Sequence, residues 1–145
     1  MAFHGTFDHS LDAKNRITVP SKHRAALAGT VFLVRGTDPC ISVYPEAEFS
    51  EIVRQSLAGL PKLSKQYRDL TRFFNSHADD VELDGAGRLT LQAKHLEHAG
   101  IAGREAVIAG AGDCLEIWDR AAWERYDTDL TAQAPELTES LGHPA

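Results

Sequence analysis

The sequence predicts an α+β fold made of two tandem copies of one unit, packed together as a small pseudo-twofold β-barrel with flanking helices. A stretch at residues 12–23 recurs at 84–95, with Asp, Arg, Thr, Lys and His in the same positions. A second match follows, because Cys40–Tyr44 corresponds to Cys114–Trp118. Each copy is expected to run strand, strand, short helix, strand, strand, helix. Strands this short cannot bury a face alone, and closure into a barrel removes exposed edges.

The first copy, residues 1–60, opens with a strand at Phe3–Leu11 that leads into a turn at Asp12–Asn15. Apolar and polar residues alternate over Arg16–Val19, which predicts that this segment returns as the hairpin partner of the first strand. The remaining expected elements are a short helix over 21–28 capped by Ser21, strands at 31–34 and 40–44, and a helix from Pro45 to Ala58.

The second copy, residues 77–131, repeats this order of elements. Its expected elements are a hairpin formed by 81–83 and 88–91 around the turn at 84–87, a helix at 93–99, strands at 106–109 and 115–118, and a helix over 120–131 capped by Asp119.

Residues 61–76 are predicted to be a linker helix, with apolar residues on one face and three cations on the other. The apolar set is Leu63, Tyr67, Leu70 and Phe74, and the cations are Lys65, Arg68 and Arg72. Such a cationic face is either a solvated bridge between the halves or a contact for a polyanion. Residues 132–145 contain Pro, Thr, Ser, Gly and acids, and are expected to form a flexible acidic tail.

The composition, 43% apolar with only short apolar runs, indicates a soluble globular chain without a membrane span. The first five residues lack the apolar region of a signal peptide, so a cytoplasmic location is expected. Cys40 and Cys114 show no metal-binding spacing, and we expect both to be buried thiols rather than a disulfide.

The net charge of −6 excludes a chain that is basic throughout, but the cations are unevenly distributed. Residues 1–24 carry +2 and residues 61–75 carry +3, whereas residues 116–145 carry −5. An acidic protein whose positive charge is concentrated in its first half can still meet a polyanion with that half.

The sequence contains none of the usual catalytic signatures, such as HExxH, a nucleophile elbow, a P-loop or GxGxxG. His95 and His98, three residues apart, could approach one metal ion, although two histidines at this spacing are more often polar side chains that face solvent and bind no metal. The acids at 79–84 have no suitably placed partner for general acid–base chemistry. We therefore expect neither an enzyme nor a cofactor, and no small-molecule substrate.

The Asp-x-Lys-x-Arg turn suits nucleic-acid recognition. The planar guanidinium of Arg16 matches guanine O6 and N7 in the major groove, which also admits a two-stranded ribbon. Lys14, Lys22 and Arg24 would attract phosphate, and Asp12 would anchor the turn through its carboxylate. The alternative is that Asp12 and Arg16 merely pair across the hairpin.

Two signatures in order make the sequence resemble the MraZ family over residues 1–130. They are Leu11–Arg16, followed by Pro20 and Arg24, and Leu83–Arg88 later in the chain. The flanking matches are Phe3, Gly5, Ala99-Gly100-Ile101 and Glu116-Ile117-Trp118.

The resemblance implies a bacterial transcriptional regulator with doubled swapped-hairpin domains of the SpoVT/AbrB type. It also implies a ring-like homo-oligomer that binds double-stranded DNA at short guanine-containing direct repeats, in the promoter of the division and cell-wall gene cluster. Such a protein would be associated with the nucleoid. The family's DNA contacts fall on Lys14, Asn15 and Arg16, with Arg88 as the counterpart in the second copy.

The sequence departs from the family pattern at three positions. Asn15 stands where the family usually has glycine, Ala86 replaces the counterpart of Lys14, and Gln92 stands where proline is common. The second turn therefore carries one cation fewer, and we expect it to read DNA less strongly than the first. Two other functions stay open at this point, an AbrB-type antitoxin or other protein-interaction module, and an enzyme with an unrecognised histidine site.

Overall fold

The computed structural model describes residues 2–142, and the mixed α+β character predicted from the sequence is confirmed. The first half contains β1 (Thr6–Ser10), β2 (Arg16–Thr18), α1 (Ser21–Arg24), a 3-10 turn (Ala25–Leu27), β3 (Thr30–Arg35), β4 (Ile41–Pro45) and α2 (Glu46–Leu57). The helix α3 (Lys65–Ser76) follows. The second half contains β5 (Ala78–Glu82), β6 (Arg88–Thr90), α4 (Ala93–Ala99), β7 (Glu105–Gly110), β8 (Leu115–Asp119) and α5 (Arg120–Leu141).

The strands form a six-stranded antiparallel sheet and a separate two-stranded ribbon. The sheet has the order β1-β7-β8-β4-β3-β5, and the ribbon pairs β2 with β6. Each half supplies three strands to the sheet and one to the ribbon. The two halves therefore share both sheets rather than folding side by side.

The predicted hairpins between the first two strands of each copy are wrong. β1 pairs with β7 of the second half, and β5 pairs with β3 of the first half. β2 and β6 then pair with each other. The alternation of polar and apolar residues identified these segments as strands, but it does not specify a partner, and two similar halves can exchange equivalent strands.

The pairing registers are symmetric under exchange of the two halves. In the ribbon, Ile17 lies opposite Leu89, its counterpart in the repeat. In the sheet, Ser42 lies opposite Glu116, its counterpart there. An internal pseudo-twofold axis therefore passes through both places, as the sequence repeat implies.

The core lies where the ribbon meets the sheet. Its members are fully or almost fully buried aliphatic side chains from both halves, including Ile17, Leu33, Ile41, Leu89, Ile108, Leu115 and Ile117. Ile17 and Leu89 point inward from the ribbon, so the residues that alternate with them, Arg16 and Arg88, lie on its other face. Burial of the inner face thus fixes which side chains the ribbon presents to solvent.

Both cysteines are buried free thiols, as the sequence predicted. Burial is the main cause that raises the pKa of Cys40, and it raises the pKa of Cys114 to about 12. A thiol with such a pKa is protonated at neutral pH and reacts poorly as a nucleophile. Among residues 2–142, no helix combines the length and apolar character needed to cross a bilayer.

Two helices differ from the sequence expectation. The residue that precedes α1 is Pro20, without a side-chain cap, so the cap predicted at Ser21 is wrong. α5 continues through Pro135 to Leu141, whereas residues 132–145 were expected to be flexible. Pro135 cannot donate the backbone hydrogen bond of its position, but the residues around it are good helix formers, so the helix continues on both sides of it. Residues 143–145 of the expected tail, and Met1, lie outside the described residues.

The two halves differ at a buried histidine. His95 is completely buried, and its Nδ1 accepts a hydrogen bond from Gln92 N at 2.9 Å. Its Nε2 lies 2.9 Å from Asp79 Oδ2, and Lys94 Nζ lies 2.8 Å from the other oxygen. Since Nδ1 is an acceptor, the ring is neutral and Nε2 donates to the carboxylate. The equivalent of Asp79 in the first half is Phe7, whose ring packs edge-on against His23.

This geometry makes stability depend on pH. Burial, partly offset by the bond to Asp79, lowers the pKa of His95 below 6.5. Below pH 6.5 the unfolded chain therefore binds a proton that the folded chain does not bind, and the free energy of unfolding should fall by at most about 1.4 kcal/mol per pH unit. Urea unfolding at pH 7.5 and 5.5 measures this change.

The contribution of His95 is isolated by comparing two variants. His95→Asn keeps an acceptor near Gln92 N but cannot titrate, so it should be less stable at pH 7.5 and should show a weaker pH dependence. His98→Asn, at a partly exposed position on the same helix, should retain the wild-type dependence. Equal pH dependence in wild type and His95→Asn would contradict this assignment.

Candidate nucleic-acid interface

The first turn is organised by the Asp12 carboxylate. Its Oδ1 accepts hydrogen bonds from the backbone N–H groups of Lys14 and Arg16, each at 2.9 Å. Its Oδ2 accepts a hydrogen bond from Arg16 Nε at 2.7 Å. The backbone bond from Arg16 is the largest cause that lowers the pKa of Asp12 from 3.8 to about 2. The expected anchoring of the turn by Asp12 is therefore present in the structure.

The second turn repeats this geometry. Asp84 Oδ1 accepts from the backbone N–H groups of Ala86 and Arg88, each at 2.9 Å, and its Oδ2 accepts from Arg88 Nε at 2.8 Å. The backbone bond from Arg88 is the main cause that lowers the pKa of Asp84. Each turn thus fixes its arginine by the same set of contacts.

The left-handed residue of each turn explains part of the sequence pattern. Asn15 has φ +58° and Gly87 has φ +75°, and asparagine and glycine are the residues that adopt this region most readily. The carbonyl of Asn15 accepts from Leu91 N at 2.8 Å, and that of Gly87 accepts from Val19 N at 2.9 Å. Each turn is therefore hydrogen-bonded to the opposite strand of the ribbon.

The ribbon brings both arginines onto one surface. Arg16 lies opposite Thr90 and Thr18 lies opposite Arg88, so these four side chains share the outward face of the β2–β6 ribbon. We call these four residues the ribbon face. Arg16 and Arg88 occupy diagonal positions on it, close enough for one ligand to touch both. Alternation along each strand predicted that Thr18 shares a face with Arg16, and Thr90 with Arg88. It could not predict that β2 pairs with β6, which puts all four side chains on one face.

Both arginines combine a fixed position with a free end. Their side chains are 26% and 32% exposed for Arg16 and Arg88, respectively. Within residues 2–142, each guanidinium donates its side-chain hydrogen bond from Nε, to Asp12 for Arg16 and to Asp84 for Arg88. The pairing that the sequence left open as an alternative therefore exists. It engages Nε, and the two terminal nitrogens remain to act as donors to a ligand.

The other expected contact residues are placed differently. Lys14 and Asn15 are exposed at the tip of the first turn. Lys22 Nζ lies 5.1 Å from the centre of the Phe7 ring, a cation–π contact. Arg24 is the most restrained, because its Nε donates to Val19 O at 2.9 Å and its side chain packs on Gly87. Arg24 therefore links α1 to the second turn, a role that its position in the sequence did not indicate.

The packing of Arg24 on Gly87 predicts that alanine substitutions at Gly87 and Gly29 lower the free energy of unfolding by different amounts. A Cβ on Gly87 would stand 2.6 Å from Arg24 Cδ, whereas a Cβ on Gly29, also at positive φ, would meet no atom of the described residues within 4 Å. Gly29→Ala should lower the free energy of unfolding by about 1 kcal/mol through backbone strain alone. Gly87→Ala should cost more, by displacing Arg24, and urea unfolding measures both.

A third variant tests the cause directly. Adding Arg24→Ala to Gly87→Ala removes the collision and should recover part of the loss, although Arg24→Ala alone is destabilising. Losses of equal size at the two glycines, or no recovery in the double variant, would contradict the packing of Arg24 on Gly87.

Comparison with known proteins is consistent with two related halves. A family model described as "MraZ protein, putative antitoxin-like" matches the chain twice, at residues 2–73 and 74–140. The transcriptional regulator MraZ of Corynebacterium diphtheriae is 39% identical over 130 residues, which is 90% of each chain. The proteins of the same name from Alkaliphilus oremlandii and Kocuria rhizophila are 35% and 40% identical over 139 residues, 96% of each chain. With both halves matched and nearly its whole length aligned to these relatives, the chain belongs to the MraZ family.

Proposed function

We propose that the chain is a sequence-specific DNA-binding transcriptional regulator that acts without catalysis and without a cofactor. The observation that carries this proposal is the ribbon face, where two aspartate-held arginines lie diagonally on one surface. The names of the curated relatives, which are transcriptional regulators, support it.

The proposed fold is a pair of swapped-hairpin units of the SpoVT/AbrB type that close as a barrel. It is supported by the exchange of strands between halves, in which β1 completes the sheet beside β7 and β5 completes it beside β3. A barrel of this kind would hold the ribbon rigidly, since every ribbon strand is anchored on its inner face by buried Ile17 or Leu89.

The ribbon face is suited to the major groove, which is about 12 Å wide and admits a two-stranded ribbon. With Nε held by aspartate, the terminal nitrogens of Arg16 can donate end-on to O6 and N7 of one guanine. Because the aspartate has already ordered the side chain, little conformational entropy is lost on binding. Lys14 and Asn15 at the turn tip reach the adjacent backbone or base edges, and Lys22 and Arg24 add positive potential behind them.

The two turns are proposed to contribute unequally. Arg88 has the same support as Arg16, but Ala86 stands where the first turn has Lys14. The second turn would therefore make one phosphate contact fewer than the first. Arg88 still lies on the ribbon face, which would contact the DNA. We assign base readout mainly to the first turn and a secondary contact to the second.

One ribbon makes few contacts and should bind weakly. A ring-like homo-oligomer would present several ribbons at once, and short guanine-containing direct repeats would let them bind together with higher avidity. The proposed target is such a set of repeats in the promoter of the division and cell-wall gene cluster. Binding there places the protein in the cytoplasm, at the nucleoid.

A mobility shift with that promoter tests the proposal. Arg16→Ala should weaken binding by about tenfold or more, because a bidentate contact to guanine contributes about 1–3 kcal/mol. Arg88→Ala should cause a smaller loss. Arg54→Ala, at an exposed arginine on α2, is the matched control and should bind like wild type.

Competition with a scrambled promoter measures specificity in the same assay. If Arg16→Ala and Arg88→Ala both bound like wild type, readout by the ribbon face would be wrong. If wild type failed to prefer the promoter over scrambled DNA, a protein-interaction module of the antitoxin kind would become the better hypothesis.

A further inference from the structure

Each end of the ribbon combines side chains from both halves of the chain. Because β2 and β6 are antiparallel, Arg16 lies opposite Thr90 at the end next to the first turn. Arg88 lies opposite Thr18 at the other end, next to the second turn. Each arginine therefore has, as its neighbour across the ribbon, a threonine that belongs to the other repeat.

The hydrogen bonds of the ribbon indicate that Thr90 and Arg16 are close neighbours. Leu91 N donates to Asn15 O at 2.8 Å, so residues 15 and 91 form a hydrogen-bonded pair. Hydrogen-bonded and non-hydrogen-bonded pairs alternate along an antiparallel ladder, so the adjacent pair, Arg16 with Thr90, is of the second kind. Side chains lie closest in such pairs, whose Cα atoms are about 4.5 Å apart. Arg16 and Thr90 can therefore contact adjacent parts of one ligand.

The bond to Asp12 lets the short side chain of Thr90 share a ligand with the long side chain of Arg16. Since Nε of Arg16 donates to Asp12 Oδ2, the guanidinium is held toward the turn and does not extend straight away from the ribbon. Thr90 is exposed, whereas Thr18, beside Arg88, is half-buried. Of the two threonines, the one beside Arg16 is thus the more accessible.

The methyl group is the part of the Thr90 side chain that can distinguish one base from another. A threonine hydroxyl both donates and accepts hydrogen bonds, so it can contact any base edge. A methyl group has one apolar counterpart in the major groove, the C5 methyl group of thymine. Successive bases are about 3.4 Å apart along the DNA axis, which is similar to the separation of paired residues in the ribbon. A base adjacent to the one that Arg16 contacts is therefore within reach of Thr90.

We propose that Thr90 is a specificity-determining residue that contacts the C5 methyl group of a thymine next to the guanine bound by Arg16. The proposal rests on the DNA-binding function proposed above. It assigns two adjacent base pairs to one end of the ribbon, one read by each half of the chain. The second half, whose own turn has Ala86 in place of a lysine, thereby contributes to recognition at the first turn.

Removing one methyl group from the DNA tests the contact. The guanine bound by Arg16 is identified as the one whose replacement by 7-deazaguanine weakens binding of wild type but not of Arg16→Ala. Promoter duplexes then carry thymine, in turn, at each base of the two flanking base pairs, and matched duplexes carry uracil there. At one of these bases, wild type should bind the thymine duplex about threefold more tightly than the uracil duplex, because one methyl group is buried.

Removing the methyl group from the protein should abolish this preference. Thr90→Ser keeps the hydroxyl and lacks the methyl group, so it should bind the thymine and uracil duplexes equally. Thr90→Val keeps a methyl group and suits a strand, so it should retain the preference. On the uracil duplex, Thr90→Ser should bind like wild type, which shows that the ribbon remains folded.

Two controls test whether the effect belongs to Thr90. Thr18→Ser makes the same change on the strand that carries Arg16, and the threefold ratio beside the guanine of Arg16 should persist in this variant. Thr128→Ser makes it at an exposed position on α5, and this variant should match wild type on both duplexes.

The outcomes separate this contact from the proposed function. If wild type preferred the promoter to scrambled DNA but bound thymine and uracil duplexes equally at every flanking base, the contact would be wrong and the DNA-binding function would stand. Loss of the ratio in Thr18→Ser instead of Thr90→Ser would overturn the pairing of Arg16 with a threonine of the other half. Loss in Thr90→Val but not in Thr90→Ser would assign recognition to the hydroxyl and overturn the methyl contact. A wild type that did not prefer the promoter to scrambled DNA would overturn both proposals.

Discussion

The structure depends on one local interaction, the aspartate that closes each turn and holds the arginine four residues later. A single carboxylate satisfies two backbone N–H groups and one guanidinium nitrogen, so turn conformation and side-chain direction are set together. The lowering of the pKa of Asp12 from 3.8 to about 2 means that the carboxylate stays charged, and the turn stays closed, at pH values where an ordinary aspartate is already protonated. Among residues 2–142 the Arg16 guanidinium hydrogen-bonds through Nε, so the interaction orients the group and leaves its two terminal nitrogens as donors.

Because the two halves exchange strands, the two aspartate-closed turns present their arginines on one surface. Had each turn closed its own hairpin, Arg16 and Arg88 would belong to separate ribbons. Pairing β2 with β6 instead places them diagonally on a common face, while Ile17 and Leu89 anchor that face from beneath. The pseudo-twofold is incomplete elsewhere, since Asp79 and His95 in one half correspond to Phe7 and His23 in the other. These differences allow related halves to serve different contacts.

The sequence predicted the elements well and their partners poorly. Alternation over Arg16–Val19 and the repeat at 84–95 identified the strands, and Asp119 was correctly identified as a helix cap, accepting from Ala122 N at 3.1 Å. Strand partners depend on contacts between residues far apart in the chain, which local periodicity does not encode. For the same reason the sequence did not predict that Arg24 packs on Gly87, which is distant from it in the chain. The residues that the sequence selected for DNA contact are grouped by the fold around one ribbon, but their assignment to DNA remains a prediction.

Replacing single atoms of the DNA tests the central claim most directly. Promoter duplexes with 7-deazaguanine at one repeat guanine lack the N7 acceptor that an end-on Arg16 would use. Wild type should lose about tenfold in affinity for the duplex with the correct guanine replaced, and Arg16→Ala should lose almost nothing further. If both proteins lost affinity equally at every guanine tested, Arg16 would not be the reader and the account of the ribbon face would be contradicted.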